Sequence, residues 1–564
     1  MSPKTSVGHA VVEALRQEDV RHVFGIVGAA FLDILDAMYD RTDIQFVGVR
    51  HEQAAALMAD GYARVTGRPS VCLVTNGPGV INLTYAVAAP YVPHSPMVIL
   101  APSPSREHQH RDSTQEFDQV SLFRPITKAA FQVTVPERIP ELLQHAFRVA
   151  TSGKMGPVLV DLPRDIMVGT EVQTTALDPG SYRVGQSRVQ GDQELVERAA
   201  QVLLSAQQPV IMAGGGVDWS MASQEAVKLA EITGAALVTS YGRADAVPNN
   251  HPQFLGHIGR LGAPEAAEAV RKADVLLALG TRLSHSTTFY DNRYIQPGTR
   301  IVQVDIDADE IGRNYPVAVG IHGDAKGVAT QLLKELQTAE APIRGEWLEE
   351  VKELCRRRWE RLDSEGELST MPLKPQRVYH ELRKVIPTDA IVSLDAGLTP
   401  AFGQDRLVFD NSRSLLISLD LGGLGFGFPE ALGAKFALPN RTVVNMNGDG
   451  GFLFNAQEME TAVRYGLNVI TVIMNNGCWG SEKAYQKYAF NERYVGADVG
   501  SPDFEQFARS FGALGIRVED ADQIGDAFRE AMNAPGPSII EVPVDPDEMP
   551  RPARLGDVMK QPQQ

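Results

Sequence analysis

Short β-branched runs alternate with helical patterns along the whole chain, and this alternation limits the fold more than any other feature. Strand-like runs occupy residues 45–49, 70–74, 97–100 and 157–161, then 209–212, 235–239, 275–279 and 300–305, then 390–394, 415–418, 443–447, 469–474 and 538–542. Strands separated by helices pair in parallel, because only a long crossover returns the chain to the same end of the sheet. The expected fold class is therefore α/β, built from doubly wound, mostly parallel sheets. A length of 564 residues, at roughly 150 per domain, corresponds to three or four such units.

Punctuation along the chain places the boundaries. Residues 170–192 carry many Thr, Gly, Ser and Gln and little periodicity, so they read as a linker closing a first domain of residues 1–170. A second α/β unit covers 192–337 and a third 371–545. Between them, residues 346–367 read as a charged helix in which Cys355-Arg-Arg-Arg-Trp359 forms a solvated face. Proline and charge dominate after Pro543, so 546–564 reads as a mobile tail or an external strap.

Charge excludes several partners. Acidic residues outnumber basic ones by 70 to 53, a formal charge of −17, which argues against nucleic acid in the absence of a basic face. Cys72, Cys355 and Cys478 are far apart and show no metal or disulfide spacing. The start lacks the charged-then-apolar order of a signal peptide, and no apolar stretch reaches the ~18 residues of a membrane span. A cytoplasmic protein acting on small molecules, with no membrane partner, is the expectation.

The most specific chemical signal lies in the last third. One strand runs into Asn447-Gly448-Asp449-Gly450-Gly451-Phe452, and the next runs into Asn475-Asn476-Gly477. Asp449 and Asn476 are 27 positions apart, each at the carboxyl end of a parallel strand, where open α/β sheets bind ligands. A carboxylate, an amide oxygen and a backbone carbonyl are hard ligands, suited to Mg2+ carrying phosphate oxygens. Either half alone is a common turn. Together they resemble the GDG, about thirty residues, then NN fingerprint of thiamine diphosphate enzymes.

From about Val7 to Val542 the chain resembles the thiamine diphosphate-dependent enzymes of the pyruvate oxidase and acetolactate synthase type. The resemblance implies pyrimidine-binding, central and diphosphate-binding domains in that order, with thiamine diphosphate and Mg2+ as cofactors. It assigns the metal to Asp449, Asn476 and the carbonyl of Cys478. The diphosphate falls to Asp395, Gly397, Leu398 and Thr399, with Gly448, Gly450, Gly451, Trp479 and Gly480 lining the same site. Leu424, after Gly422, matches the apolar wedge that bends the cofactor. Glu52, after a strand and Arg50-His51, would ordinarily serve the helix macrodipole. In this family context it matches the glutamate bonded to N1′ of the pyrimidine, which promotes loss of the thiazolium C2 proton. Gly77, Pro78 and Asn82 match the segment lying against the pyrimidine, and Gly28, Ala29 and Gln115 occupy substrate-lining positions. Since Glu52 and Asp449 belong to different domains, the family arrangement shares each cofactor between two subunits, making a homodimer the minimum and a homotetramer common.

The reaction is less constrained. Trp479-Gly-Ser-Glu482-Lys483-Ala-Tyr-Gln486 and Asn491-Glu-Arg493-Tyr-Val495 resemble segments of sulfoacetaldehyde acetyltransferases, as do Pro93-His94-Ser95-Pro96 and Gln115-Glu-Phe-Asp118-Gln119. Lys483, Arg493 and His94 are of the type that neutralises a sulfonate or an attacking phosphate, and His94 and Gln115 are candidates for proton relay or orientation. That resemblance implies sulfoacetaldehyde and phosphate going to acetyl phosphate and sulfite. Departures at residues 163–169 and at the 28–31 turn keep open an acetolactate synthase-like carboligase or 2-oxo acid decarboxylase. A non-catalytic binding homologue would fit an aliphatic residue at position 52, where this chain has glutamate. Ala213-Gly214-Gly-Gly216-Val217 fails the GxGxxG dinucleotide spacing, so it reads as a structural turn; FAD is open but not favoured, and a NAD-dependent dehydrogenase leaves Glu52 and the paired motifs unexplained.

Overall fold

The computed structural model describes residues 4–173, 178–182, 188–339, 344–418 and 420–552. Three six-stranded parallel sheets flanked by helices meet the α/β expectation. The first is ordered Gln45–Gly48, His22–Gly25, Ser70–Leu73, Met97–Ser103, Pro157–Pro163, Ala129–Gln132. The second runs Phe254–His257, Ala236–Thr239, Pro209–Ala213, Val275–Leu279, Arg300–Asp305, Val319–His322. The third runs Leu415–Leu416, Ile391–Leu394, Val443–Gly448, Val469–Asn475, Ser538–Pro543, Leu514–Arg517. Helices cover both faces of such sheets, so central strands read as unbroken apolar runs; Met97–Ser103, Pro157–Pro163 and Val275–Leu279 are buried along their whole length.

Five strands of these three sheets carry no run in the sequence reading. Ala129–Gln132, Phe254–His257, Val319–His322 and Leu514–Arg517 are edge strands, while His22–Gly25 is internal. Each has only four residues, and every one includes a Gly, His, Gln or Arg that dilutes the β signal. The linker reading of 170–192 needs correcting too: Glu171–Gln173 pairs antiparallel with Lys4–Ser6 and buries Val172. Three residues are too few to show a period. Residues 174–177 and 183–187 of that stretch lie outside the described residues.

The charged helix forms as Gly345–Gly366, but its arginines do not share one solvated face. Arg356 pairs with Glu353 and Glu360 at the surface, whereas Arg358 is among the most deeply buried side chains. Beyond Pro543 the described chain is a strap: Val544 bridges to Leu373, Lys374 donates to Asp545 at 2.7 Å and Glu548 at 2.9 Å, and Met549 is buried. The tail from 553 lies outside the described residues. Among the described residues no helix is long and apolar enough to cross a membrane.

The chain divides into two compact units. One comprises 1–187 with 418–441 and 453–469; the other comprises 188–417, 442–452 and 470–564. Within the first, helix Glu52–Thr66 packs on helix Gly427–Ala437. The backbones touch where both lack a side chain: a Cβ on Gly61 would strike the Glu430 carbonyl, and one on Gly433 the Met58 carbonyl. Beside that crossing, buried Glu430 accepts a 2.7 Å hydrogen bond from Ser418, and burial together with nearby Asp60 pushes its carboxyl pKa up.

Candidate active site

In the first unit, strand Gln45–Gly48 ends just before Glu52, the first residue of helix Glu52–Thr66, which closes at left-handed Gly67. The helix is capped without Glu52, because His51 Nδ1 accepts the Gln53 amide at 3.1 Å. Glu52 instead turns to the segment after strand Ser70–Leu73: Asn82 Nδ2 donates to Glu52 Oε2 at 3.0 Å, and a Cβ on Gly79 would sit 3.5 Å from Oε1. Pro78 opens that short helix, preceded by Gly77 at φ +61°. A Cβ on Gly77 would lie 2.6 Å from the Gln115 carbonyl, which also accepts from Asn76 Nδ2 at 3.0 Å. Gly28 packs on Thr75, with Ala29 exposed beside it. Glu52, Asn82, Gly77, Gln115 and Gly28 thus belong to one connected patch.

The remaining first-unit candidates occupy other loops. His94 adopts φ +69° between helix Thr84–Tyr91 and strand Met97–Ser103. Gly422 is exposed and Leu424 half-buried in a loop where Gly423 meets the Tyr85 ring and the Gly425 carbonyl accepts from Asn455 at 2.6 Å.

The second unit holds the other cluster. Asp449 is buried and accepts a 2.6 Å hydrogen bond from Ser501. Asn476 Oδ1 accepts the Cys478 amide at 3.2 Å. The loop is stapled by Trp479 N to Ala497 O at 2.7 Å and Val499 N to Gly477 O at 2.9 Å. The Cys478 thiol is pushed up to about 11, mainly by burial, with a smaller rise from Asp449. A Cβ on Gly451 would be 2.5 Å from Asp395 Oδ2, Gly450 abuts the Trp479 ring, and a Cβ on Gly480 would be 2.5 Å from Leu398. Thr399, whose carbonyl accepts from Tyr379 at 2.8 Å, is buried nearby.

Gly397 and Gly448 behave differently from those packed glycines: a Cβ on either meets nothing within 4 Å. Gly397 has φ +95° and needs glycine for its backbone, but Gly448 has no such need. The open space beside Gly448 adjoins Asp449, as expected for backbone that approaches a phosphate. Gly448→Ala is expected to keep the wild-type melting temperature while weakening thiamine diphosphate binding at least about tenfold; Gly450→Ala, which collides with Trp479, is expected to lower both. Calorimetric titration and thermal unfolding separate the two.

Lys483 is engaged within the protein. Its ammonium donates to Asp498 at 3.1 Å and lies 5.2 Å above the Tyr494 ring. Gln486 clasps Val495 through both its backbone groups, so that part of the segment holds a loop shut. Glu482 and Arg493 are exposed. In the central sheet, Gly214 and Gly216 lie directly against the backbone of Gly280, which accounts for their lack of side chains.

Sequence reasoning missed Ser501, and no spacing marks it. It also missed Glu541, which accepts from Asn475 Nδ2 at 2.9 Å and from the Phe504 amide at 3.2 Å, fixing the loop just before Asn476. Among the described residues no three His, Cys, Asp or Glu side chains gather as a metal site, so a cation here would need amide and carbonyl oxygens beside Asp449.

Three successive doubly wound sheets with glycine-rich turns at the strand ends define a class of cofactor-binding enzyme. Residues 5–122 match the N-terminal TPP binding domain of thiamine pyrophosphate enzymes, 196–332 the central domain and 395–542 the C-terminal TPP binding domain. The chain belongs to the thiamine pyrophosphate enzyme family, in the branch of acetolactate synthase and pyruvate oxidase type. It is 36% identical over 551 residues to the "Probable acetolactate synthase large subunit" of Methanocaldococcus jannaschii, covering 96% of this chain and 92% of the relative. It is 34% identical over 556 residues to the acetolactate synthase large subunit of Haemophilus influenzae, covering 97% and 95%. It is also 34% identical over 558 residues to the sulfoacetaldehyde acetyltransferase of Alcaligenes xylosoxydans xylosoxydans, covering 94% and 91%. The chain is a thiamine diphosphate-dependent enzyme.

Proposed function

We propose that the chain moves a two-carbon unit from a small 2-oxo acid or aldehyde to an acceptor, using thiamine diphosphate and Mg2+. The observation that carries this reading is the buried Asp449 beside the stapled Asn476–Cys478 loop, both at strand ends and next to the empty space at Gly448. When bound, thiamine diphosphate supplies an acidic carbon that adds to carbonyls and a ring that accepts the electrons of the broken bond. Asp449, the Asn476 amide oxygen and the Cys478 carbonyl hold the cation, and Asp395, Gly397, Leu398 and Thr399 flank the diphosphate. Glu52 holds and releases a proton, with its carboxyl direction set by Asn82. The functional unit is a homodimer or a homotetramer, and three unpaired cysteines suit a cytoplasmic setting. The packing of Gly214 and Gly216 against Gly280 gives that turn a structural reason for its glycines and supports the reading in which FAD is not favoured, which a flavin absorption band in the purified protein would overturn.

The substrate pair proposed first is sulfoacetaldehyde and phosphate, going to acetyl phosphate and sulfite; the Trp479 to Val495 pattern supports it. Acetolactate synthase-like carboligation is the second reading, favoured by the pairing of Lys483 with Asp498, which leaves less positive charge for a sulfonate. With thiamine diphosphate and Mg2+ present, sulfite and acetyl phosphate formed together support the first. Acetolactate and CO2 from pyruvate, without sulfite from sulfoacetaldehyde, support the second. Chelation with EDTA is expected to abolish either activity and added Mg2+ to restore it; activity that survives exhaustive chelation overturns the metal assignment.

A further inference from the structure

Glu458 is a wholly buried carboxylate in the first unit, and the chemistry described so far makes no use of it. It opens helix Glu458–Arg464 and accepts from three groups: the Arg50 amide, at 3.0 Å to one oxygen and 3.2 Å to the other, the His51 amide at 3.0 Å and the Thr461 hydroxyl at 2.7 Å. The same helix and the residue after it reach the end of the preceding strand. Gly48 N donates to the Tyr465 hydroxyl at 3.0 Å, and Arg464 donates to the Gly48 carbonyl at 2.6 Å. Four backbone groups of residues 48–51, immediately before Glu52, are therefore held by this helix and the residue after it. Nothing in the packing of an ordinary strand end requires a buried carboxylate there. Its desolvation is costly unless the bonds it accepts are needed.

We propose that Glu458 is a positioning residue for Glu52: it locks the Arg50–His51 backbone and so sets the direction in which the Glu52 carboxyl leaves the helix start. This rests on the reading of Glu52 as the proton-handling group. Two anchors then fix that carboxyl, Asn82 directly and Glu458 through the backbone. Burial pushes the Glu458 carboxyl up to about 7, despite the three groups that donate to it, and Glu460 adds to the rise.

The test compares Glu458→Met, Glu52→Gln and the double variant in two measurements. In the cofactor-free protein, amide hydrogen exchange of a peptide spanning residues 48–53 is expected to be about tenfold faster or more in Glu458→Met, which keeps the length but offers no oxygen to the Arg50 and His51 amides, with the strand Val275–Leu279 unchanged. In the loaded protein, C2 proton exchange is expected to slow about 10- to 100-fold, and the double variant to be no slower than Glu52→Gln alone. Unchanged amide exchange, or fully additive effects in the double variant, overturns the proposal. If Glu52→Gln itself leaves C2 exchange unchanged, the reading of Glu52 falls and the proposal falls with it, and the identity of the unaffected variant shows that this was the cause. Should Glu458→Met not fold, Glu458→Asp carries the test: its carboxyl falls one methylene short of the Arg50 and His51 amides, and an exchange rate for residues 48–53 equal to wild type overturns the proposal.

Discussion

Replacing Glu52 with Gln is expected to lower the rate of C2 proton exchange in bound thiamine diphosphate by about 100- to 10,000-fold, the range for losing a positioned acid–base group. Glutamine keeps the size and can still accept the Asn82 hydrogen bond, so the fold and the contact at Oε2 survive. What disappears is the ability to hold and release a proton at that oxygen. Exchange measured by NMR after dilution into D2O isolates this step from substrate chemistry, and a rate within threefold of wild type would refute the assignment. Asn82→Ala is expected to act in the same direction but more weakly, because it frees the carboxyl without removing it. The helix start should tolerate both changes: His51 caps the Gln53 amide and Glu458 accepts the two preceding amides. Glu52 has no capping duty to lose.

The sequence was informative where chemistry and backbone geometry coincide. Glu52 follows a strand and opens a helix that ends at Gly67, and Asp449 and Asn476 close adjacent strands of the third sheet; each placement follows from local periodicity and turn residues. Many buried strands were legible because burial on both faces makes them continuously apolar, whereas the short edge strands Ala129–Gln132, Phe254–His257, Val319–His322 and Leu514–Arg517 and the internal His22–Gly25 were not. Contacts made by residues far apart in sequence left no local trace. Ser501 reaches Asp449 from a loop without a pattern, Glu458 reaches residues 50 and 51 across some four hundred positions, and the partnership of Lys483 with Asp498 is invisible to spacing. Arg358 is the clearest failure. Three successive arginines read as one solvated surface, yet adjacent helix residues point about 100° apart, so one of three can face the core if a partner waits there.

That partner is Asp405, and removing Arg358 is expected to cause the largest stability loss of any single change proposed for the chain. Arg358 donates to the Asp405 carboxylate at 2.8 Å and to its carbonyl at 2.9 Å, and its guanidinium lies 5.4 Å from the Phe254 ring and 4.8 Å from the Trp359 ring. Arg361 adds a 3.0 Å bond to the same carboxylate. The two arginines hold the Asp405 carboxyl well below the usual carboxylate range against the cost of burial. Arg358→Met leaves that charge half-paired in the interior, and such a break costs about 3–5 kcal/mol. Because replacing both partners by apolar groups is often near neutral, Arg358→Met combined with Asp405→Leu is expected to recover most of the loss in denaturant unfolding; a double variant as unstable as the sum of the two singles would refute this account. The same site sets a pH dependence. Burial, aided by Arg358, depresses neighbouring His257 from 6.5 to about 4, so below pH 6.5 the unfolded chain takes up a proton that the native chain refuses. Stability from this group is complete above pH 6.5 and falls by about 3 kcal/mol as pH drops to 4. Glu458 opposes it, since its raised value of about 7 against 4.5 makes its contribution fade as pH rises through 7. The difference between wild type and His257→Asn therefore isolates the histidine: it should change by about 3 kcal/mol between pH 7 and pH 4, in the direction that favours the variant at low pH.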